Sequence, residues 1–345
     1  MEGELMSVMK MWIWVGTSVS YCYWMRKVIP PGPTRLLSLL PVISLFFFLP
    51  LTFSTVHLSG TLGFFLAWLA NFKLLLLAFD KGPLSHPQVS LPRFAALACL
   101  PINLTKHPST NTSHPLRYAF KALLVGLLVK AYDYTQNIHP KLIMCIYCFH
   151  IYFLLEIILA LVAALARTLL GLELEPQFNN PLRSTSLQDF WGRRWNLMVT
   201  TILRPTVYHP TLRAAAALLG PKWAPLPAVF ATFLVSGLMH ELILFYIGRM
   251  EPTFWMTAFF LLHGLSLTLE IALKRALAAT FRLPSLVSGP LTAAFVFATC
   301  ISLFLPEFIR CRIDVRAFQE YAALGQLFTN LASRFSNFFH TNIII

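Results

Sequence analysis

The feature of this sequence that most constrains its fold is a series of apolar runs near the length needed to cross a bilayer. A bilayer core of ~30 Å requires ~20 helical residues. The segments that meet or approach this length number about eight, and they cover residues 9–25, 36–54, 62–79, 118–135, 142–170, 225–247, 252–273 and 289–306. Only 12% of the 345 residues are charged and 57% are hydrophobic, which excludes an ordinary soluble domain. The sequence therefore predicts an all-α, polytopic membrane helical bundle forming a single domain over residues 1–345.

The distribution of basic residues predicts which loops face the cytosol. Threading eight helices places loops 26–35, 80–117, 171–224 and 274–288 on one side, and with the adjoining helix ends they carry 18 of the 27 Lys and Arg. By the positive-inside rule this side is cytosolic. The net charge of +13 would attract anionic headgroups or an anionic substrate. Nucleic acid is not an expected partner, because no basic helix, zinc spacing or aromatic RNA-binding signature accompanies the charge.

The long loop 171–224 contains the segment SLQDFWGRRWN, from Ser186 to Asn196. This loop is too aromatic for a solvated linker and too charged to cross the bilayer. Backbone that does not span is tolerated at membrane depth where protein buries it. The sequence therefore predicts a cytosolic amphipathic or re-entrant segment within the membrane-embedded domain.

Several ionisable residues fall inside the predicted spans, where each costs about 2.5–3.5 kcal/mol on insertion scales. The strongest functional candidate is His240, because a neutral imidazole in an apolar tunnel can accept a proton from a hydroxyl. Glu241 points about 100° away on the same helix, which predicts a helix-packing or orienting role. His263 and Glu270 share one helix face, and we interpret them as a polar seam that holds the bundle together.

Several stretches of the chain together resemble the membrane-bound O-acyltransferase family. They are SLQDFWGRRWN followed by SGLMHE, WLANFKLLLLAFDKGPL from Trp68, AYDYTQ from Ala131 and LEPQFNN from Leu174. Within the family the sequence is similar to plant wax synthases, the long-chain-alcohol O-fatty-acyltransferases, whose relatives include a plant sterol acyltransferase. The resemblance implies a multi-pass endoplasmic-reticulum enzyme that encloses an acyl tunnel and joins an acyl group from acyl-CoA to a long-chain alcohol.

The resemblance also implies two catalytic residues. The membrane histidine taken as catalytic in the family corresponds to His240, and the asparagine that ends an aromatic-rich motif corresponds to Asn196. The acylglycerol and sterol branch carries Phe-Tyr-x-Asp-Trp-Trp-Asn at this motif, whereas this chain has Arg193 in place of the Asp and Arg194 in place of the first Trp. That departure argues against simply assigning an acylglycerol substrate.

The arginines of this motif are candidates for binding coenzyme A, a soluble polyanion attached to a membrane-soluble chain. Arg193 and Arg194 can make charge-assisted contacts to phosphate. The neighbouring aromatic side chains can anchor the loop at the interface or stack on adenine; they are Phe190, Trp191 and Trp195. The alternative is that Asp189 pairs internally with one arginine, in which case the motif is a structural plug.

The expected mechanism is direct transfer of the acyl group. His240 removes the hydroxyl proton of the alcohol, and Asn196 positions the thioester or donates a hydrogen bond to the oxyanion. No cysteine lies in a motif with a catalytic histidine and no Gly-x-Ser-x-Gly elbow is present, so a covalent acyl-enzyme is not expected. No metal and no cofactor are expected, since acyl-CoA is a substrate.

Three other functions remain open from the sequence. The acceptor can be a sterol or another lipid alcohol, because the same catalytic pair would serve each. A lipid or proton transporter would use the intramembrane His and Glu residues as a path, although inverted repeats are not evident. A catalytically silent scaffold is the third. The sequence predicts neither the acyl chain length nor the oligomeric state.

Overall fold

The computed structural model describes residues 2–104, 115–172, 174–276 and 283–343. Within these ranges the chain is helical, apart from loops and one isolated β-bridge between Leu104 and Leu174. The predicted all-α class is therefore confirmed. The α-helices are α1 (Glu2–Val28), α2 (Pro33–Phe48), α3 (Val56–Leu62), α4 (Asn71–Ala78), α5 (Leu91–Cys99), α6 (Pro115–Ala131), α7 (Pro140–Leu170), α8 (Leu187–Asp189), α9 (Leu197–Leu203), α10 (His209–Trp223), α11 (Pro225–Gly248), α12 (Trp255–Ala276), α13 (Ser285–Thr299), α14 (Leu305–Arg310) and α15 (Ile313–Ile343).

Short segments of other helix types join several of these α-helices. The 3₁₀ turns are Leu49–Thr52, Tyr132–Asn137 and Pro181–Arg183. The π-helical segments are Gly63–Ala70, Phe190–Arg194, Arg204–Tyr208 and Cys300–Phe304. A π segment widens the helix and re-aims its side chains, and such segments are frequent at functional sites.

Six continuous helical stretches of the described chain are long and apolar enough to cross a membrane. They are Pro33–Thr52, Val56–Ala78, Pro140–Leu170, Pro225–Gly248, Trp255–Ala276 and Ser285–Arg310. The first and fourth predicted spans form α1 and α6, but neither is among these six. Helix α6 has 17 residues, which is short for the ~20 that a bilayer requires, and the 27-residue α1 contains too many polar residues. Of the eight predicted spans, six therefore have the length and composition to cross a membrane among the described residues, whereas α1 and α6 do not meet both criteria.

One end of the bundle gathers the loops that carry most of the positive charge. The amide of Gly32 donates to the carbonyl of Ala78 at 2.8 Å, and the amide of Glu175 donates to the carbonyl of Asn103 at 3.0 Å. The guanidinium of Arg26 donates to the carbonyl of Leu84 at 2.7 Å. These contacts join three of the four predicted basic loops, namely 26–35, 80–117 and 171–224. Residues 105–114, 173 and 277–282 of the basic loops lie outside the described residues.

The opposite end joins the remaining connections. The guanidinium of Arg249 donates to the carbonyl of Phe53 at 2.9 Å, and that of Arg316 donates to the carbonyl of Ser54 at 2.6 Å. The imidazole of His57 lies 2.5 Å from the carboxylate of Glu320. The turn after α11 is thereby fastened to the turn before α3. The start of α15 is fastened to that same turn and to His57 of α3.

The segment after residue 180 does not cross the bundle; its short helices pack against α11 and α12. Its N-terminal part is fastened to α12 because the carboxylate of Glu270 accepts a hydrogen bond from the amide of Leu187 at 2.8 Å. The side chains of Leu187 and Phe190 are buried. Apolar burial and polar anchoring together hold this segment beside the membrane-spanning helices, as expected of a re-entrant segment.

Helices α11 and α12 form a close pair around two residues of α11. The carboxylate of Glu241 accepts a hydrogen bond from the backbone amide of Thr257 at 3.0 Å, which satisfies one of the free donors in the first turn of α12. One turn earlier, a Cβ added at Gly237 would lie 2.9 Å from the Cα of Thr257. Glu241 therefore has the helix-orienting contact that its position predicts, and glycine permits the close approach.

Candidate active site

The side chain of His240 is held within α11 by its own backbone. Its Nδ1 lies 2.7 Å from the carbonyl oxygen of Ser236, and because a carbonyl only accepts, Nδ1 carries the hydrogen. In the neutral imidazole, Nε2 then has a free lone pair. The ring of Phe260 packs on the imidazole with centroids 4.2 Å apart. Backbone and ring contacts together fix the orientation of a hydrogen-bond acceptor within the bundle.

Asn196 lies between the π segment Phe190–Arg194 and helix α9. Its backbone is left-handed, with φ of 40°, a conformation that asparagine adopts more readily than most other residues. Its side-chain oxygen is buried and has no hydrogen-bond partner within the described ranges. A buried polar atom without a partner costs about 1–3 kcal/mol, so this amide is available to bind a ligand.

Two cavities meet at His240. The polar cavity, of about 330 Å³, is lined by Asn196, His240, Arg204 and Arg275 among others. The apolar cavity, of about 150 Å³, is lined mainly by aromatic and aliphatic side chains of α7, α12 and α13. Four residues line both cavities, and these are Trp191, Trp195, His240 and Phe260. The structure thus brings the two predicted catalytic residues to one cavity.

The aromatic residues of the motif form the wall between these cavities. Trp191 and Trp195 line both of them, and Phe190 lines the apolar cavity. The rings of Phe190 and Trp195 are stacked with centroids 5.4 Å apart. Their positions place them beside any ligand that occupies the site, as the sequence suggested, although their contact with adenine stays a prediction.

The two motif arginines lie outside the lining of both cavities. Arg194 donates from Nε to the carboxylate of Asp189 at 2.6 Å, and from its terminal nitrogen to the carbonyl of Asn179 at 3.2 Å. Arg193 is exposed. The internal ion pair that the sequence left as an alternative is therefore present, and it closes the π segment on itself.

His263 and Glu270 make structural contacts. The indole N–H of Trp191 donates to Nδ1 of His263 at 3.1 Å, and Nε2 of His263 lies 2.8 Å from the hydroxyl of Thr299. That hydroxyl also donates to the carbonyl of Phe295 at 2.8 Å, so it accepts the hydrogen on Nε2. His263 therefore joins the motif to α13, and Glu270 anchors the start of the motif separately through the amide of Leu187.

Arg204 and Arg275 are the cationic side chains that sequence reasoning missed. Both are exposed and line the polar cavity together with Tyr208. Arg275 is oriented by a hydrogen bond to the carbonyl oxygen of Lys222. Arg204 follows the motif, whereas Arg275 ends α12, so nothing in their sequence spacing indicates that they meet.

The six cysteines are free thiols. The sulfur atoms of Cys148 and Cys300 lie 3.5 Å apart, and both residues line the apolar cavity. Among the residues that the structure describes, no cluster of three or more His, Cys, Asp or Glu is arranged to bind a metal ion.

Comparison with known proteins identifies the family. Residues 174–262 match the membrane bound O-acyl transferase family, a range that contains both Asn196 and His240. The chain is 49% identical to Acyl-CoA--sterol O-acyltransferase 1 of Arabidopsis thaliana, over 92% of this chain and 95% of that protein. It is 46% identical to Probable long-chain-alcohol O-fatty-acyltransferase 2 of the same plant, over 93% and 95% of the two chains.

A third relative comes from another plant. The Long-chain-alcohol O-fatty-acyltransferase of Simmondsia chinensis is 42% identical, over 94% of this chain and 95% of that protein. Identity of this extent covers the spans as well as the motif, so the resemblance is not confined to the site. With the helical membrane fold and a shared cavity for histidine and asparagine, these matches show that the chain belongs to the membrane bound O-acyl transferase family.

Proposed function

We propose that this protein transfers a fatty acyl group from acyl-CoA to a long-chain fatty alcohol, producing a wax ester in the endoplasmic-reticulum membrane. The observation that carries the proposal is the position of His240, whose ring lines both the polar and the apolar cavity. A polyanionic donor and a lipid acceptor require dissimilar sites that meet at one reacting atom. Most of the relatives compared are named for this reaction, which supports the choice of acceptor.

His240 acts as the general base at its Nε2 atom. The hydrogen bond from Nδ1 to the Ser236 carbonyl leaves the Nε2 lone pair to take the proton of the alcohol. The alcohol oxygen then attacks the thioester carbonyl carbon, and the carbon–sulfur bond breaks as the ester forms. The imidazolium returns its proton to the departing CoA thiolate, so the histidine ends in its starting state.

Asn196 binds the thioester beside this base. Its buried side-chain oxygen lacks a partner within the described ranges, so this atom does not hold the ligand-free fold together. The amide N–H₂ donates to the carbonyl oxygen as negative charge develops there, an interaction that contributes about 2.7–4 kcal/mol where one oxyanion donor has been removed.

The apolar cavity suits an acceptor with one hydroxyl on a long hydrocarbon body. The hydroxyl of Ser184 donates to the carbonyl of Pro181 at 2.6 Å and that of Thr292 to the carbonyl of Ser288 at 2.8 Å. The thiols of Cys148 and Cys300 contact each other. These side chains are therefore already engaged, while Nε2 of His240 remains open. A fatty alcohol presents one polar group to that atom and apolar surface to the remaining wall.

The polar cavity suits the coenzyme A part of the donor. We assign the phosphate contacts to Arg204 and Arg275, which line it, in preference to Arg193 and Arg194. By the positive-inside rule this basic end faces the cytosol, where acyl-CoA is soluble. Replacing Arg204 or Arg275 by Gln should raise the KM for acyl-CoA, each by about tenfold for a lost contact of ~1.4 kcal/mol.

Arg193→Gln provides the matched control, because Arg193 is an exposed arginine of the same segment that lines neither cavity. Its KM for acyl-CoA should stay within about twofold of that of the unmodified protein. If the KM for acyl-CoA instead rises for Arg193→Gln and not for Arg204→Gln or Arg275→Gln, the phosphate contacts belong to the motif and not to the two cavity arginines.

The reaction is tested by expressing the protein in a host that lacks neutral-lipid acyltransferases and supplying fatty alcohol and sterol separately. New wax ester, absent from a His240→Ala variant, is the expected result. Sterol ester as the main product would instead assign the acceptor named in the sterol relative, which is the second candidate because of its 49% identity. Failure to form ester from either alcohol would contradict the proposed function.

A further inference from the structure

Trp68 contains a buried hydrogen-bond donor that the fold does not use. The side chain lies in the π segment Gly63–Ala70 and is 1% exposed. Its indole nitrogen is buried and has no hydrogen-bond partner among the residues that the structure describes. An indole N–H can only donate, and buried donors are nearly always satisfied. Trp68 is therefore an exception that calls for a ligand with an acceptor atom.

The position of Trp68 identifies where that ligand lies. Its ring lines the polar cavity together with Asn196 and His240. The indole and the His240 imidazole are nearly perpendicular, at 77°, with ring centroids 5.1 Å apart. Trp68 also packs in a hydrophobic cluster with Leu203 and Met239.

Trp68 and Asn196 reach the cavity from different parts of the fold. Asn196 belongs to the motif segment after residue 180, whereas Trp68 belongs to the membrane-spanning stretch Val56–Ala78. The π segment widens this stretch at Trp68, a distortion that is frequent where a helix supplies a functional side chain. The indole nitrogen of Trp68 and the side-chain oxygen of Asn196 both lack a hydrogen-bond partner among the described residues, and both residues line the cavity that His240 lines.

We infer that the indole N–H of Trp68 donates a hydrogen bond to the carbonyl oxygen of the acyl thioester, as a second donor beside the Asn196 amide. This inference rests on the proposed function, which brings a carbonyl oxygen next to His240. During attack by the alcohol oxygen, the carbonyl π electrons move to that oxygen and return as the carbon–sulfur bond breaks. Two fixed donors stabilise this transient charge more than one does, and neither must reorient.

The test is Trp68→Phe, which removes the N–H and keeps an aromatic ring. Initial rates are measured with the full-length protein in lipid nanodiscs, with a long-chain acyl-CoA and a long-chain alcohol. We expect kcat to fall by about tenfold to a hundredfold, and the KM for each substrate to change by less than about twofold, because the bond strengthens chiefly in the transition state. Trp255→Phe is the matched control, since Trp255 is 55% exposed and lines neither cavity.

Thermal unfolding separates this role from a structural one. Trp68→Phe also removes atoms of a side chain that is 1% exposed, so it should lower the unfolding temperature whichever role Trp68 has. An isostere that removes only the donor should leave the unfolding temperature unchanged or raise it, because the donor has no partner among the described residues of the ligand-free protein. To keep the ring shape constant, 3-benzothienylalanine, which has sulfur in place of the indole N–H, is incorporated at position 68 and should reproduce the loss of kcat.

Two outcomes would overturn the inference. One is an unchanged kcat when 3-benzothienylalanine replaces Trp68; the other is a fall in kcat for Trp68→Phe that the isosteric replacement does not reproduce. In either case the unmodified protein would still form wax ester, so the proposed function would stand. Absence of ester from the unmodified protein would instead reject the function itself.

Discussion

Replacing Gly237 by alanine should weaken both the α11–α12 contact and catalysis. The added Cβ would lie 2.9 Å from the Cα of Thr257 and 3.3 Å from the Cβ of Phe260. Carbon atoms reach their optimal separation at about 3.5–4.0 Å. The obstacle at Thr257 is backbone, which cannot turn aside as a flexible side chain can. The two helices must therefore move apart locally by roughly 0.6 Å, the difference between the closer distance and that optimum.

Two effects follow from this displacement. Overpacking at a close contact costs about 1–3 kcal/mol of stability. The same movement shifts Phe260 relative to His240, whose rings are 4.2 Å apart. A misplacement of about 1 Å in a catalytic group can reduce the rate about a hundredfold, so we expect roughly a tenfold loss of kcat for this smaller shift.

The measurement is thermal unfolding in nanodiscs together with the initial rate of ester formation. Gly126→Ala on α6 is the matched control, because an added Cβ there meets nothing within 4 Å. It should unfold at the temperature of the unmodified protein or above it, since alanine is the better helix former. The reasoning is refuted if Gly237→Ala matches Gly126→Ala in both unfolding temperature and rate.

The remaining predictions concern Glu241 and the two cavity thiols. Glu241→Ala should lower stability by about 1–3 kcal/mol because it leaves the Thr257 amide without its acceptor, whereas Glu241→Gln should retain most of it; equal unfolding temperatures for both variants would contradict the capping role. The Cys148→Ala, Cys300→Ala double variant should retain ester synthesis, because direct transfer needs no thiol nucleophile. Loss of ester synthesis, with an acyl thioester trapped on the unmodified protein, would contradict direct transfer.

The spans were predictable where apolar length alone determines the structure. The predicted segment 225–247 corresponds to Pro225–Gly248, and 142–170 corresponds to Pro140–Leu170. The membrane requires every backbone polar group to be satisfied, which leaves the helix as the solution for a long apolar run. Apolar length was a weaker guide for the predicted segments 9–25 and 118–135. Both form helices, but the first contains polar residues and the second is short, so neither is a clear membrane crossing by length and composition.

The candidate site was predictable only in part. His240 and Asn196 were selected from motifs, and the structure places both at one cavity. The motif arginines were selected because they adjoin aromatic residues, but sequence adjacency does not show which partner a charge finds, and their contact with coenzyme A stays a prediction. A π turn brings Arg194 back to Asp189, five positions earlier. Arg194 thus has a partner inside the motif, whereas the sequence had suggested that it contacts the ligand.

Arg204, Arg275 and Trp68 could not be predicted as members of the site. Each comes from a different element, and only tertiary packing brings them around the polar cavity. Trp68 begins a stretch that resembles the family, but the sequence alone does not distinguish an indole in an apolar run from a core residue. Only the three-dimensional structure shows that its indole N–H has no hydrogen-bond partner among the described residues.

The junction of the two cavities at one imidazole has a consequence for how the reaction is completed. Under the proposed mechanism, the bond that breaks lies at the boundary between two chemically unlike chambers. The water-soluble fragment is thus left beside arginines, and the newly joined lipid is left among aromatic rings. Coenzyme A is then in a cavity lined by cations, and the ester is in an apolar cavity. The two products are therefore separated by the transfer step, before either one dissociates.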